Sequence, residues 1–287
     1  MRPYRGPVDL RQMQAAVQRV PTTSSGWHLG DLPWMRFQHV GREPEWPTAL
    51  WTGPDDTVVA FGWAELPGHL ELFVDPDHAL MCAEVLDWFD DVAQSDRRTV
   101  TTVDTCHHVT TALAAAGYRP DDAAHFTRLG SLDLATLTAP VALPPGFSVR
   151  PVTDADRAER VLVHRAAFAP SRVTPTSYRN VQSAWPYRTE LDWVVQTPDG
   201  GFASFALVWF DEHSRVGELE PVGCAPRYRR RGLARAVCVA ALRALRDVGG
   251  EQAVVSWRGD GAHPGPEQLY TGLGFRPHLR TVTFVNR

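Results

Sequence analysis

The side chains best suited to chemistry gather between residues 217 and 235. The run reads Gly217-Glu218-Leu219-Glu220-Pro221-Val222-Gly223-Cys224-Ala225-Pro226-Arg227-Tyr228, then Arg229-Arg230-Arg231-Gly232-Leu233-Ala234-Arg235. A strand leads into a turn, and the turn opens a helix. The helix is marked by apolar residues at Leu233, Val237, Ala241, Leu245 and Val248, spaced by three or four. The leading amides of a helix lack intrahelical acceptors, and the helix dipole adds partial positive charge there. Gly232 lets a ligand approach the backbone and Ala234 adds little bulk. Five arginines (227, 229, 230, 231 and 235) crowd the same turn. Such a place suits a pyrophosphate. The competing reading is a solvated basic helix start or a nucleic-acid patch. The glycine at the helix start, with a strand leading in, favours phosphate.

Glu218 and Glu220 stand two apart on the strand that feeds this turn. Alternation puts them on one face, pointing with Val222 and Cys224. Burial beside an apolar cleft would raise a carboxylate's pKa into the range useful for base catalysis.

The elements around the run can be read from periodicity and turn residues. The second half starts with a strand at 147–150 and a helix over 154–168. Strands follow at 191–196, 201–210 and 217–224, then the helix over 232–248 and a strand at 253–257. A short helix at 266–273 leads to a last strand at 280–285. The first half gives strands at 48–51, 58–66 and 70–74, a helix over 79–93 and a strand at 100–104. A helix over 108–116 and a strand at 126–132 complete it. Between the halves, Thr138-Ala139-Pro140-Val141-Ala142-Leu143-Pro144-Pro145-Gly146 has linker composition. Two local echoes point to a repeat: Gly117-Tyr118-Arg119-Pro120 with Gly274-Phe275-Arg276-Pro277, and Val74-Asp75-Pro76 with Cys224-Ala225-Pro226.

Composition narrows the function classes. The chain has 287 residues, 44% hydrophobic and 22% charged, which is ordinary for a globular protein and long enough for two cores. The net charge of -4 recruits neither nucleic acid nor an anionic membrane. All 29 basic residues are arginine, which suggests a GC-rich bacterial genome. Cys82, Cys106, Cys224 and Cys238 form no CxxC pair and match no zinc spacing; reduced thiols in a cytoplasm account for them. His107-His108 has no evident third metal ligand. The first twenty residues carry scattered charge, so no signal peptide is read there, and no apolar run is long enough for a transmembrane helix.

The pattern Arg-x-x-Gly-x-Ala formed by Arg229, Gly232 and Ala234 resembles the signature of GCN5-related N-acetyltransferases. Leu269-Tyr270-Thr271-Gly272-Leu273-Gly274-Phe275 resembles that family's Leu-Tyr-x-x-x-Gly-Phe element. The resemblance covers residues 147–287, and the first half resembles the same fold in outline. It implies an α/β chain of two tandem domains, each a mostly antiparallel sheet with a splayed parallel pair flanked by helices. Residues 1–140 would form a degenerate domain without the cofactor signature, and residues 146–287 the catalytic one.

The resemblance also implies acetyl-coenzyme A as cofactor, no metal, and direct transfer to a primary amine in a ternary complex. Val222, Gly223 and Cys224 would meet the pantetheine arm, with the Val222 amide donating to the thioester oxygen. The amides from Arg230 through Arg231, Gly232, Leu233 and Ala234 to Arg235 would hold the pyrophosphate. Glu218 stands where family members place a catalytic base, with Glu220 as competitor. Tyr270 matches the family's acid, and Cys224 is read as a core or backbone position. His263 departs from the Asn that many members carry seven residues before the tyrosine. The acceptor is expected to be a small-molecule or peptide amine, with Trp185 or Tyr187 as candidate pocket residues, and the protein a monomer or homodimer. In the first half, Asp75 and Asp77 occupy the echo of the phosphate turn and would repel a pyrophosphate. A non-catalytic acyl-coenzyme A sensor on the same fold is the alternative.

Overall fold

A computed structural model describes residues 1–137 and 141–286. Thr138, Ala139 and Pro140, which open the expected linker, lie outside the described residues. The first half contains β1 (Arg2–Pro3), α1 (Pro7–Gln18), α2 (Thr22–Ser25), α3 (Asp31–Phe37), β2 (Thr48–Thr52), β3 (Val58–Glu65) and β4 (His69–Val74). It continues with α4 (Met81–Val92), β5 (Arg98–Val103), α5 (His107–Ala115), β6 (Arg119–Pro120) and β7 (Thr127–Asp133). The second half contains β8 (Ser148–Pro151), α6 (Arg157–Ala167), α7 (Pro175–Ser183), β9 (Asp192–Gln196), β10 (Phe202–Asp211) and β11 (Val216–Cys224). It ends with α8 (Leu233–Asp247), β12 (Gln252–Arg258), α9 (Pro264–Leu273) and β13 (Arg276–Asn286).

Both halves use the same plan. Antiparallel strands β2–β3–β4 lead to β4 parallel with β5, and antiparallel β8–β9–β10–β11 lead to β11 parallel with β12. Each parallel contact lasts three residues: His69–Glu71 beside Thr99–Thr101, and Val216–Glu218 beside Gln252–Val254. Beyond these pairs the strands part toward their C-terminal ends, where α4 and α8 begin.

The two sheets are joined edge to edge, in the order β1-β2-β3-β4-β5-β13-β7-β12-β11-β10-β9-β8. The join is an exchange of last strands. β7 from the first half lies antiparallel to β12 along its full length. β13 passes β7 with Arg276–Arg280 and then pairs with β5 through Thr281–Asn286. The cores follow the strands. Leu132 and Leu134 are buried in the cluster under α8, and Phe284 is buried in the cluster under α4 and α5.

The α8 helix shows how sequence sets local structure. Leu233, Val237, Ala241 and Leu245 are all buried, as their spacing requires. Gly232 takes φ 77° just before the helix and Gly249 takes φ 101° just after it. Besides the short α2, three helices stand where the sequence carries no clear helical period. Of these, α1 and α3 cover the face of β3 with Leu10, Met13, Val17 and Leu32. The third, α7, is started by a reciprocal cap between Thr174 and Ser177.

Candidate active site

Strand β11 carries a bulge, and the bulge decides which way its side chains point. Val208 faces Leu219 and Ala206 faces Val222, so Leu207 alone opposes both Glu220 and Pro221. Pro221 has no amide hydrogen to give to the ladder, which fits this break. One extra residue inverts the alternation. Glu218 therefore does not share a face with Val222 and Cys224, contrary to the expectation from simple two-residue spacing. Glu218 lies opposite Trp209, toward the cluster formed by Trp34, Val161 and Tyr178. Val222 packs toward α8 instead. The Trp209 indole donates to the Glu220 carbonyl oxygen at 2.8 Å and fixes the bulge from one side.

The two carboxylates meet different surroundings. Glu218 is buried, with Oε2 3.3 Å from His28 Nδ1. His28 comes from the turn before α3, where its amide also donates to Asp31 Oδ2 at 2.7 Å. Burial and the nearby Glu218 push the Asp31 carboxyl well above its ordinary value. Glu220 stays partly exposed at the floor of a cavity. Burial of its carboxyl, reinforced by Glu218, raises its pKa to about 8. Of the two, Glu220 is the group that reaches open space and titrates where a base works.

Tyr270 projects from α9 into the same region. It is buried between Trp257 and Phe275, at ring-centroid distances of 5.8 and 5.9 Å. Burial first, then Cys238 and Glu220, push its hydroxyl well above the ordinary phenol range, so it keeps its proton. Arg235 ties α9 to the start of α8 by donating from Nη1 to the Gly272 carbonyl at 2.6 Å.

The turn between β11 and α8 is an open set of donors. Among the described residues, the backbone amides of Arg230, Arg231, Gly232, Leu233, Ala234 and Arg235 find no backbone acceptor, and Ala236 is the first to bond back, to Gly232. No side chain caps this helix start. Arg230 takes φ 63° beside Gly232, and a Cβ on Gly232 would meet nothing within 4 Å. The turn is braced by Arg229, whose guanidinium donates to the carbonyls of Cys224 and Ala167 at 3.3 Å. Arg227 and Arg231 lie over the rings of Tyr228 and Phe147, each at 4.7 Å. Burial raises the Cys224 thiol, which disfavours a thiolate nucleophile.

The corresponding place in the first half is partly occupied by its own chain. Asp75 accepts from the Asp77 amide at 3.1 Å and so occupies the turn with a carboxylate. Between the diverging β4 and β5, the Trp27 indole donates to the Leu72 carbonyl at 3.0 Å. Thr105 donates to the Ser24 carbonyl at 3.1 Å. The α2 segment and Trp27 thus narrow the gap where β4 and β5 part, leaving a cavity of about 230 Å³ lined by Trp27, Leu72, Val74, Thr102 and His108.

The Glu220 cavity has a volume of about 370 Å³ and is walled by both halves. Trp34, Gln38, His39 and Arg42 come from α3 and the segment after it; Phe168, Ser171 and Arg172 come from the α6–α7 connection. Ser171 and Arg172 open the 171–187 stretch, the region the family resemblance implies for the acceptor, whereas Gln38, His39, Arg42 and Phe168 carry no such signal in the sequence. Trp185 and Tyr187, expected there, do other work. The Arg11 guanidinium covers the Trp185 ring at 3.2 Å, and the Tyr187 hydroxyl donates to Asp192 at 3.3 Å. His263 sits just before α9. Among the described residues no group of three or more His, Cys, Asp or Glu could hold a metal, and no helix is long and apolar enough to cross a membrane.

Comparison with known proteins bears on this architecture. Residues 164–275 match the model of the acetyltransferase (GNAT) family. A mycothiol acetyltransferase of Kineococcus radiotolerans is 35% identical over 162 residues, 54% of this chain and 51% of that protein, so the match spans about half the length of the curated relative. Among solved structures, a tandem GNAT protein from the clavulanic acid biosynthesis pathway superposes with a TM-score of 0.67 at 15% identity, covering 99% of this chain and 97% of its own. A GCN5-related N-acetyltransferase from Sphaerobacter thermophilus gives 0.64 at 16% identity, covering 99% and 94%. These likenesses show the fold across nearly the whole chain. Residues 164–275, which hold the splayed β11–β12 pair and the open turn before α8, belong to the acetyltransferase (GNAT) family.

Proposed function

We propose that the protein is an N-acetyltransferase that moves an acetyl group from acetyl-coenzyme A directly to a primary amine, with Glu220 as base and Tyr270 as acid. The observation that carries this reading is the pairing of two features along one strand. The splay beside β11 ends at six successive amides without backbone acceptors, and its bulge holds a carboxyl with a pKa of about 8 over a cavity. The residues fit the cofactor. The amides of Arg230 to Arg235 would hold the pyrophosphate, and the exposed edge of Val222, Gly223 and Cys224 would receive the pantetheine arm as an added strand. When bound, acetyl-coenzyme A supplies an activated acyl thioester.

Glu220 takes one proton from the acceptor's ammonium and frees the nitrogen lone pair. Tyr270, held protonated, supplies the proton that the departing sulfur needs. In balance a C–N bond forms and a C–S bond breaks; of the two protons the nitrogen loses, one replaces that given by Tyr270 and one reaches solvent. The raised Cys224 thiol supports direct transfer over an acyl-cysteine route. Residues 146–287 form the catalytic unit in this reading. Residues 1–140 bind no cofactor in this reading, because the Asp75 carboxylate occupies the turn where a pyrophosphate would dock, and they supply a wall of the acceptor pocket.

A thiol-release assay with acetyl-coenzyme A across classes of primary amines tests the proposal. Saturable release with one amine, lost in Tyr270→Phe, is expected. Saturable release undiminished by both Tyr270→Phe and Glu220→Gln would remove the acid and base assignments.

A further inference from the structure

The Glu220 cavity has two chemically different ends. Its floor is Glu220 and Pro221, with the rings of Trp34 and Phe168 beside them. Its rim carries His39, Arg42 and Arg172. The rim cations are unequally matched. Arg42 is held by Glu45, through Nε at 2.8 Å and Nη2 at 2.5 Å. Arg172 has no carboxylate within 4 Å among the described residues, and its side chain is exposed. His39 Nδ1 is buried without a hydrogen-bond partner. Burial, then Arg42 and Arg172, lower the His39 pKa, so its ring is neutral near pH 7. His164, on the same wall, is pushed down to about 3 by burial and Arg160, so it adds no charge.

The two ends do not neutralise each other. The raised pKa of Glu220 traces to burial and Glu218, with no contribution from a rim arginine. An arginine close to Glu220 would have lowered it. Near pH 7 the cavity therefore presents one unmatched cation at its rim and a carboxyl at its floor that is largely protonated until an ammonium arrives. An ordinary neutral amine would use the floor and leave the rim empty.

Resting on the acetyltransferase reading, we infer that the acceptor is an amine that also bears an anionic oxygen group, a carboxylate or a phosphate, bound by Arg172 while its nitrogen faces Glu220. The planar guanidinium suits two-point recognition of either group. A volume of about 370 Å³ has room for about a dozen waters at roughly 30 Å³ each, so the acceptor is a small molecule or the end of a peptide. The aromatic walls take the carbon frame between the two ends. Because Arg172 and Phe168 come from the second half and Trp34 and His39 from the first, the acceptor would be read jointly by both halves.

Matched pairs of amines test this: amino acids against their carboxamides, and phosphoethanolamine against ethanolamine. Transfer is followed by thiol release, and binding by thermal shift with coenzyme A present, in wild type and Arg172→Gln. The inference expects the anionic member of at least one pair to show a KM at least tenfold lower, or to be the only member that raises the melting temperature. Arg172→Gln should cut that preference to less than about threefold, acting on KM more than on kcat. The two pair types separate carboxylate from phosphate recognition. Equal handling of both members in every pair, by KM and by thermal shift alike, or a preference that survives Arg172→Gln would overturn the inference. Transfer to neutral amines without charge preference would do so while leaving the acetyltransferase reading standing. Shifts from anionic members without turnover of any amine would instead count against the enzyme reading.

Discussion

Glu220 folds with a carboxyl raised to about 8 from an ordinary 4.5, because protein surrounds it and Glu218 stands near. Below pH 4.5 the group is protonated in both folded and unfolded chains, and folding is not opposed by its ionisation. As pH rises toward 8, the unfolded chain ionises first, so the folded state loses stability across that window. Glu220→Gln escapes this loss. The melting temperature of Glu220→Gln relative to wild type should therefore climb between about pH 5 and pH 8. A difference that stays flat would show that the carboxyl is not raised. Glu218 acts on the same group from a different position. Removing its charge in Glu218→Gln should move the acid limb of kcat/KM to lower pH, because the neighbour that disfavours the Glu220 carboxylate is gone. A limb that moves up, or does not move, would contradict the assigned coupling. The alternation rule pairs Glu218 with Glu220 from sequence alone but cannot separate them. Pro221 was the available signal, since a proline inside a strand marks a bulge or an edge. Read that way, it would have warned that Val222 faces away from Glu218.

The turn between β11 and α8 is the element most fully legible in sequence. Gly232, the Leu233-to-Leu245 spacing and the arginines give its shape directly, and the structure adds the six free amides. Its opposite in the first half, where Asp75 caps its own turn, shows what acidic residues do at the same place. Converting one into the other is a test at this scale. Arg230→Asp with Arg231→Asp should raise the KM for acetyl-coenzyme A by about tenfold or more, through repulsion at a helix start. The acceptor KM should change by less than about twofold. Both arginines lie outside the core, so folding should survive, and circular dichroism would check it. An unchanged cofactor KM would mean that the phosphates dock elsewhere. The Glu220 cavity was not legible in the same way. Trp34 and Glu220 line one cavity although they come from different halves of the chain, and no local pattern in a sequence records such a meeting.

At the scale of the whole chain, strand positions were readable but strand partners were not. Period-two patterning marks β7 and β13 as strands, yet it says nothing of which sheet each completes. The exchange places Leu132 in one core and Phe284 in the other, so neither half keeps its own last strand. A chain ending at Phe275 should therefore lose more than the edge of one sheet. It removes the partner of both β5 and part of β7, and should abolish cooperative thermal unfolding rather than lower its midpoint by a few degrees. The full chain should unfold in a single transition. Two well-separated transitions, or a truncated chain that melts cooperatively near the wild-type temperature, would show that the halves are energetically independent.

The central claim is that Glu220, at the bulge, accepts the proton that lets an amine take the acetyl group. The most direct test is the pH dependence of kcat/KM for the best amine acceptor, in wild type and Glu220→Gln, with thiol release as readout. Wild type should rise with an apparent pKa near 8. Glu220→Gln should lose about 10²- to 10⁴-fold at the plateau and show no such limb. A variant that keeps wild-type rates, or keeps the limb near pH 8, would contradict the account.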